Sequence, residues 1–90
     1  MNKEYVKKIV LESFRNALVR QELEVPEQFD FDIVLLASGV DSLGFAVMVA
    51  SLEDELGYDP FTLMEIPVYP KTLGDFVSIY LEYSEHLKTQ

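Results

Sequence analysis

The residues from Gly39 to Gly57 constrain this chain more than any other stretch. Gly39-Val40-Asp41-Ser42-Leu43 runs straight into Gly44-Phe45-Ala46-Val47-Met48-Val49-Ala50-Ser51-Leu52-Glu53-Asp54-Glu55-Leu56-Gly57. An Asp-Ser pair ahead of an apolar periodic run, acids behind it and a closing glycine write a helix with both ends marked. The pattern predicts a helix over residues 42–56. Ser42 falls on its first turn, at the end of a long loop, where a hydroxyl is exposed. A phosphate placed there would face unpaired backbone N–H groups and the positive end of the helix dipole.

The flanking segments supply partners for that helix. Asn2 can cap a first helix and Glu4 suits its first turn. Val6, Val10, Phe14 and Ala17 recur at helical spacing beside Ile9 and Leu18, while Lys7, Lys8, Glu12 and Arg15 take other faces, predicting a helix over residues 3–19. Between Gln21 and Val40, Pro26 breaks any helix and Phe29-Asp30-Phe31-Asp32 alternates only briefly. Ile33-Val34-Leu35-Leu36-Ala37 fits a short buried strand, yet roughly 20 residues without regular structure exceed an ordinary connection. Beyond Gly57, Tyr58-Asp59-Pro60 reads as a turn. Phe61 to Ile66 has room for one or two helical turns before Pro67 and Pro70 interrupt. Thr72 followed three residues on by Asp75 is a capping signal, and Leu73, Phe76, Val77, Tyr80, Leu81 and Leu87 predict a last helix reaching near the C-terminus.

On these residues the chain resembles the acyl carrier proteins and their peptidyl-carrier relatives. Gly39-Val40-Asp41-Ser42-Leu43 and Leu52-Glu53-Asp54-Glu55-Leu56-Gly57 carry the likeness, and Asp41-Ser42-Leu43 is its sharp motif. In that family the serine is esterified by 4′-phosphopantetheine, whose thiol holds acyl groups as thioesters. The resemblance implies an all-α fold over residues 1–90, a small bundle of three main helices and one short one. It also implies that Gln21 to Val40 is a long loop laid across the bundle, and that a bound chain is sheltered between helices.

The balance of charge fits such a role. Sixteen acidic against seven basic residues give a net charge of −9, which argues against nucleic acid and anionic membrane surfaces as partners. Enzymes with basic patches are expected instead. With no cysteine in the chain, disulfides, thiolate metal sites and cysteine nucleophiles are excluded. The N-terminal residues lack the apolar run of a signal peptide, and the longest apolar stretch, Leu43 to Ala50, is too short to span a bilayer. The expectation is a soluble, cytoplasmic monomer.

Ser42 has two readings: a helix residue beside a capping Asp41, or the attachment site, which the resemblance favours. No base adjoins it, as expected if a phosphopantetheinyl transferase activates it and delivers the arm from coenzyme A with Mg²⁺. Asp41 then caps the helix, with help to the transferase in holding metal as a further role. A hydrolase triad would need a histidine, and His86, the only one, belongs to a polar C-terminal segment; the chain also has no Gly-x-Ser-x-Gly elbow. The chain is therefore read as a non-enzyme.

At about 100° per residue, Phe45, Val49, Leu52 and Leu56 share one face of the second helix and form the expected core stripe. Leu43, Ala46, Val47 and Ala50 share a nearly opposite face ending in Glu53 and Asp54. That face suits docking of partner enzymes; alternatively the helix is buried nearly all round. Glu53, Asp54, Glu55 and Asp59 form a solvated or partner-facing cluster and match no EF-hand loop, so no metal site is assigned. Carriers of the fatty-acid type usually have acids where Gly44 and Val47 stand, and a residue smaller than Phe45. These departures imply a specialised carrier in a fatty-acid, polyketide or related pathway. The competing class is a carrier-like module that binds partners non-covalently and never acquires the arm.

Overall fold

The structure, a computed structural model, describes residues 2–66 and 68–88. Four α-helices follow in order: α1 (Lys3–Arg20), α2 (Ser42–Leu56), α3 (Pro60–Leu63) and α4 (Leu73–Glu82). Short 3-10 turns occur at Leu36–Ser38 and Ser84–His86. The expected all-α bundle of three main helices and one short one is what the chain forms. Pro67, expected to interrupt the segment after α3, lies outside the described residues.

Local chemistry sets each helix boundary. Asn2 accepts from the Tyr5 N–H at the head of α1, and α1 buries Val6, Val10, Phe14, Ala17 and Leu18, the stripe its spacing predicts. Asp59 caps α3, which begins on Pro60, one residue earlier than the Phe61 start read from the sequence. Proline suits that first position because its missing N–H would be unpartnered anyway. Thr72 and Asp75 close a reciprocal capping box on α4. The two backbone N–H groups of Lys71 and Thr72 point at the Asp75 carboxylate and hold its pKa below the usual value.

Two expectations need correction. The last helix stops at Glu82 instead of reaching near the C-terminus. The chain then turns through Ser84–His86, so that Leu87 packs half-buried against the core and Lys88 returns to α2. There the Lys88 N–H donates to the Leu56 carbonyl at 2.9 Å and its Nζ to the Asp54 carbonyl at 2.8 Å. A cation on those terminal carbonyls opposes the negative end of the dipole. On α2 the buried residues are Gly44, Met48, Leu52 and Leu56, while Phe45 and Val49 are only half-buried. The core face is rotated toward Gly44 and Met48, a residue absent from the expected stripe. The cause is α1, whose C-terminal end packs against Gly44.

The long connection between α1 and α2 is a loop that docks on the start of α4. Leu35 N–H donates to the Lys71 carbonyl, Leu73 N–H to Ile33 and Gly74 N–H to Phe31, at 2.8 to 3.0 Å. Among the described residues the β-pairing of Ile33 to Ala37 amounts to one isolated bridge, Val34 to Thr72. Cations on α1 help hold the loop: Lys7 lies 5.3 Å from the Phe31 ring centre and Arg15 4.8 Å from that of Phe29. Leu35 and Val40 are buried in the same core as Phe14, Leu18, Phe76 and Tyr80. A large ring without access to solvent makes that core sensitive to truncation. Replacing Phe14 or Phe76 by alanine would cost about 3–5 kcal/mol.

Candidate functional site

The loop, α2 and the segment before α4 meet at Ser42. Leu35 and Val40 are pinned in the core, which fixes the approach of the chain to α2 from below. Gly39 makes the intervening turn with a φ of 99°, a left-handed conformation natural to glycine. Ser38 steadies the same corner by donating to the Leu35 carbonyl at 2.5 Å. Asp41 is the N-cap: it is extended, and its Oδ1 accepts from the Gly44 N–H at 2.8 Å. Ser42 is the first residue of the helix and is exposed.

This division of labour frees the serine. Asp41 does the capping, so the Ser42 hydroxyl is not needed to satisfy the helix end. The first-turn N–H groups of an α-helix have no intrahelical partner. Asp41 takes up Gly44, which leaves the dipole end and the N–H groups of Ser42 and Leu43 to favour an anion there. The first turn of α2 itself contains no acid. A phosphodiester on the Ser42 oxygen therefore fits both the exposure and the electrostatics of this corner.

Beside Ser42 opens an apolar cleft of about 360 Å³ lined by Leu35, Leu36, Val40, Asp41, Ser42, Phe45, Tyr69 and Pro70. Its contributors from Leu35, Leu36, Tyr69 and Pro70 were not singled out from the sequence. A signal existed: Ile66-Pro67-Val68-Tyr69-Pro70 is an apolar run with no helical period. Leu36 and Tyr69, both lining the cleft, are 81% and 74% exposed, an unusual amount of apolar surface for one corner of a small protein. Where α2, α3 and α4 meet, the space between helices is filled by rings. Phe45 meets Phe61 edge-on at 5.6 Å and Phe76 at 5.5 Å, and Phe76 meets Tyr80 at 5.2 Å.

The other residues singled out on α2 lie away from the core. Leu43, Ala46, Val47, Ala50, Glu53 and Asp54 are all exposed, so the helix is not buried all round. Glu53 and Asp54 lie at the far end from Ser42, near the Lys88 ammonium. Among the described residues no three His, Asp or Glu side chains converge as a metal site. His86 is exposed and sits against Tyr58 and Tyr83, remote in sequence and element from Ser42. No helix of the described residues is long and apolar enough to cross a membrane.

The protein is thus a small helical bundle with an exposed serine at the head of its second helix, beside an apolar cleft. The family model for the phosphopantetheine attachment site matches residues 16–66, more than half of the chain, and the protein belongs to that family. Its cofactor is 4′-phosphopantetheine, held covalently, and carriage of that arm is its role. The match spans the end of α1, the loop, all of α2 and α3. Comparison with curated proteins and with solved structures gave no match.

Proposed function

We propose that this protein carries acyl or aminoacyl intermediates on a phosphopantetheine arm attached to Ser42, in a specialised fatty-acid, polyketide or related pathway. The observation that carries the proposal is the pairing of an exposed, cap-free Ser42 with an Asp41 that alone satisfies the Gly44 N–H. When bound, the arm supplies a terminal thiol on which a thioester can be held. The chain's own contributions are positional. Asp41 fixes the first turn, Ser42 offers the oxygen that becomes the phosphoester link, and Leu43 turns an apolar side chain outward beside it, 73% exposed. Residues 1–90 act as one carrier unit, a reading supported by the single cluster into which α1, the loop, α2 and α4 pack.

Catalysis is left to partners: a phosphopantetheinyl transferase first, then loading and processing enzymes. Their docking surface is the exposed face formed by Leu43, Ala46, Val47 and Ala50, with Glu53 and Asp54 setting orientation against basic patches. The absence of acids in the first turn of α2 makes the part nearest Ser42 apolar. That distinguishes the surface from one read mainly by charge, and supports a specialised pathway.

The test is the intact mass of the purified protein after incubation with coenzyme A, Mg²⁺ and a broad-specificity phosphopantetheinyl transferase, beside Ser42→Ala. A phosphodiester forms at Ser42 as the pyrophosphate link of coenzyme A breaks and its adenosine bisphosphate leaves. The expected result is one added phosphopantetheine on the native chain and none on the variant. No addition to a folded native sample with several transferases would overturn the assignment and favour a non-covalent interaction module.

A further inference from the structure

Two side chains that line the cleft beside Ser42, Phe45 and Tyr69, also belong to the aromatic cluster of the bundle. Buried Leu35 and Val40 make the floor, and Tyr69 and Pro70 form the opposite rim. Phe45 lies across the inner end: half-buried, it lines the cleft with one side of its ring environment while meeting Phe61 and Phe76 on the other. Phe61 is backed in turn by Tyr69, stacked at 6.4 Å and 13°, and by Phe76, stacked at 6.5 Å and 15°. Phe76 and Tyr80 behind them have no solvent exposure. An alkyl chain that enters beside Ser42 therefore reaches a closed aromatic wall before it reaches the bundle interior.

We propose, on the reading of Ser42 as the attachment site, that Phe45 limits how deep the cargo can go and restricts the carrier to a short acyl group. The cleft, at about 360 Å³, lies near the lower end of the roughly 300–1,000 Å³ that ligand pockets span. Its lining is apolar except for Asp41 and Ser42, so it favours a hydrocarbon group over a charged one. Extending it inward requires Phe45 to leave two aromatic neighbours in a close-packed interior, where displaced rings have no empty site to occupy. A long chain would leave its distal carbons in water. Phe45 is thus a specificity-determining residue, set three positions after the serine on the same helix.

The experiment uses the absence of cysteine from the native sequence. In Ser42→Cys the new thiol is the sole point of attachment, and alkyl methanethiosulfonates add butyl, octyl or dodecyl groups through a disulfide. Thermal melting and the NMR shifts of Leu36, Phe45 and Tyr69 are then recorded for each conjugate. With Phe45 present, butyl should raise the melting temperature by several degrees and shift all three residues, and octyl and dodecyl should add nothing further. With Phe45→Ala in the same background, the rise should continue from butyl to octyl. Phe45→Leu, which keeps the core apolar, provides the comparison if the alanine variant does not fold, and should give an intermediate gain with octyl. A melting temperature that climbs steadily to dodecyl with Phe45 intact would overturn the proposal, as would unmoved Leu36 and Phe45 signals with every chain. Because these conjugates need no transferase, failure here is separable from failure of the attachment reading, which the intact-mass measurement decides.

Discussion

Gln21 and Gly44 are in contact across the junction of α1 and α2. Gln21 is the C-cap of α1, and its buried Oε1 has no hydrogen-bond partner among the described residues. The point where a Gly44 Cβ would lie overlaps that oxygen and falls 3.1 Å from Val40 Cγ1 and 3.3 Å from Asp41 Oδ1. Helix propensity alone would have alanine stabilise position 44 by about 1 kcal/mol. The contact predicts the reverse: Gly44→Ala displaces Gln21, crowds buried Val40 and disturbs the cap, with a net loss of about 1 kcal/mol. Adding Gln21→Ala removes one of the three obstacles. A denaturant double-mutant cycle should show a favourable coupling of about 1 kcal/mol between the two substitutions. Additive effects would mean that the contact carries no energy.

Asp41 and Ser42 should separate stability from modification. Asp41→Ala leaves the Gly44 N–H without its 2.8 Å acceptor. Losing an N-cap of this kind costs about 1 kcal/mol. Ser42→Ala removes an exposed hydroxyl that caps nothing, and its stability should stay within about 0.5 kcal/mol of the native chain. Urea unfolding checks both values. The same Ser42→Ala sample should accept no phosphopantetheine.

The α2 cassette was legible because Asp41, Ser42 and Gly57 are local signals: a cap, a first-turn residue and a C-terminal glycine at a φ of 88° act within a few residues of themselves. The stripe on α1 was legible for the same reason. What escaped was set by tertiary contact. Gly44 reads as a weak helix former until α1 is laid against it. Met48 and Phe45 exchange core and margin because the buried face follows that neighbour. The cleft draws Leu35, Leu36, Tyr69 and Pro70 from two segments outside the α-helices, which hydrogen bonds between residues 31–35 and 71–74 hold together. No periodicity within either segment encodes that pairing. The end of α4 at Glu82 was likewise hidden, since Leu87 keeps an apolar role after the helix has stopped.

Two tyrosines in the core should respond oppositely to loss of the hydroxyl. Tyr58 Oη donates to the Tyr80 carbonyl at 2.5 Å, whereas Tyr80 Oη is buried without a partner among the described residues. Tyr58→Phe should cost about 1 kcal/mol, and Tyr80→Phe should leave stability unchanged or raise it by about 1 kcal/mol. Thermal melts of the two variants test the contrast.

The same burial makes an alkaline transition. Burial pushes the Tyr58 hydroxyl from 10.0 up to about 12. Burial raises Tyr80 as well, with the negative charge of Asp59 adding to it. Well below pH 10 both states keep the proton and the full stability is present. As pH rises from 10 toward 12 the unfolded chain ionises first, and stability falls. Chemical denaturation at pH 8, 10 and 11 should therefore show a loss that is already visible at pH 10, grows at pH 11 and is smaller in Tyr80→Phe.

The docking face should divide into an apolar half and an electrostatic half. Leu43 and Val47 are 73% and 38% exposed beside Ser42, so Leu43→Ala should change stability by less than about 0.5 kcal/mol. It should nevertheless weaken recognition by a transferase or processing enzyme, seen as a raised KM that added salt does not mask. Glu53 and Asp54 lie at the other end of α2, and their exposed charges act over a distance of about one Debye length, roughly 8 Å at physiological salt. Charge reversal at both should slow association at low ionic strength and lose most of its effect in 0.5 M NaCl. Kinetics of arm transfer across a salt series, with the two variants in parallel, give the comparison. A Leu43 effect that disappears with salt, or a Glu53 and Asp54 effect that survives it, would reverse the assignment of the two halves.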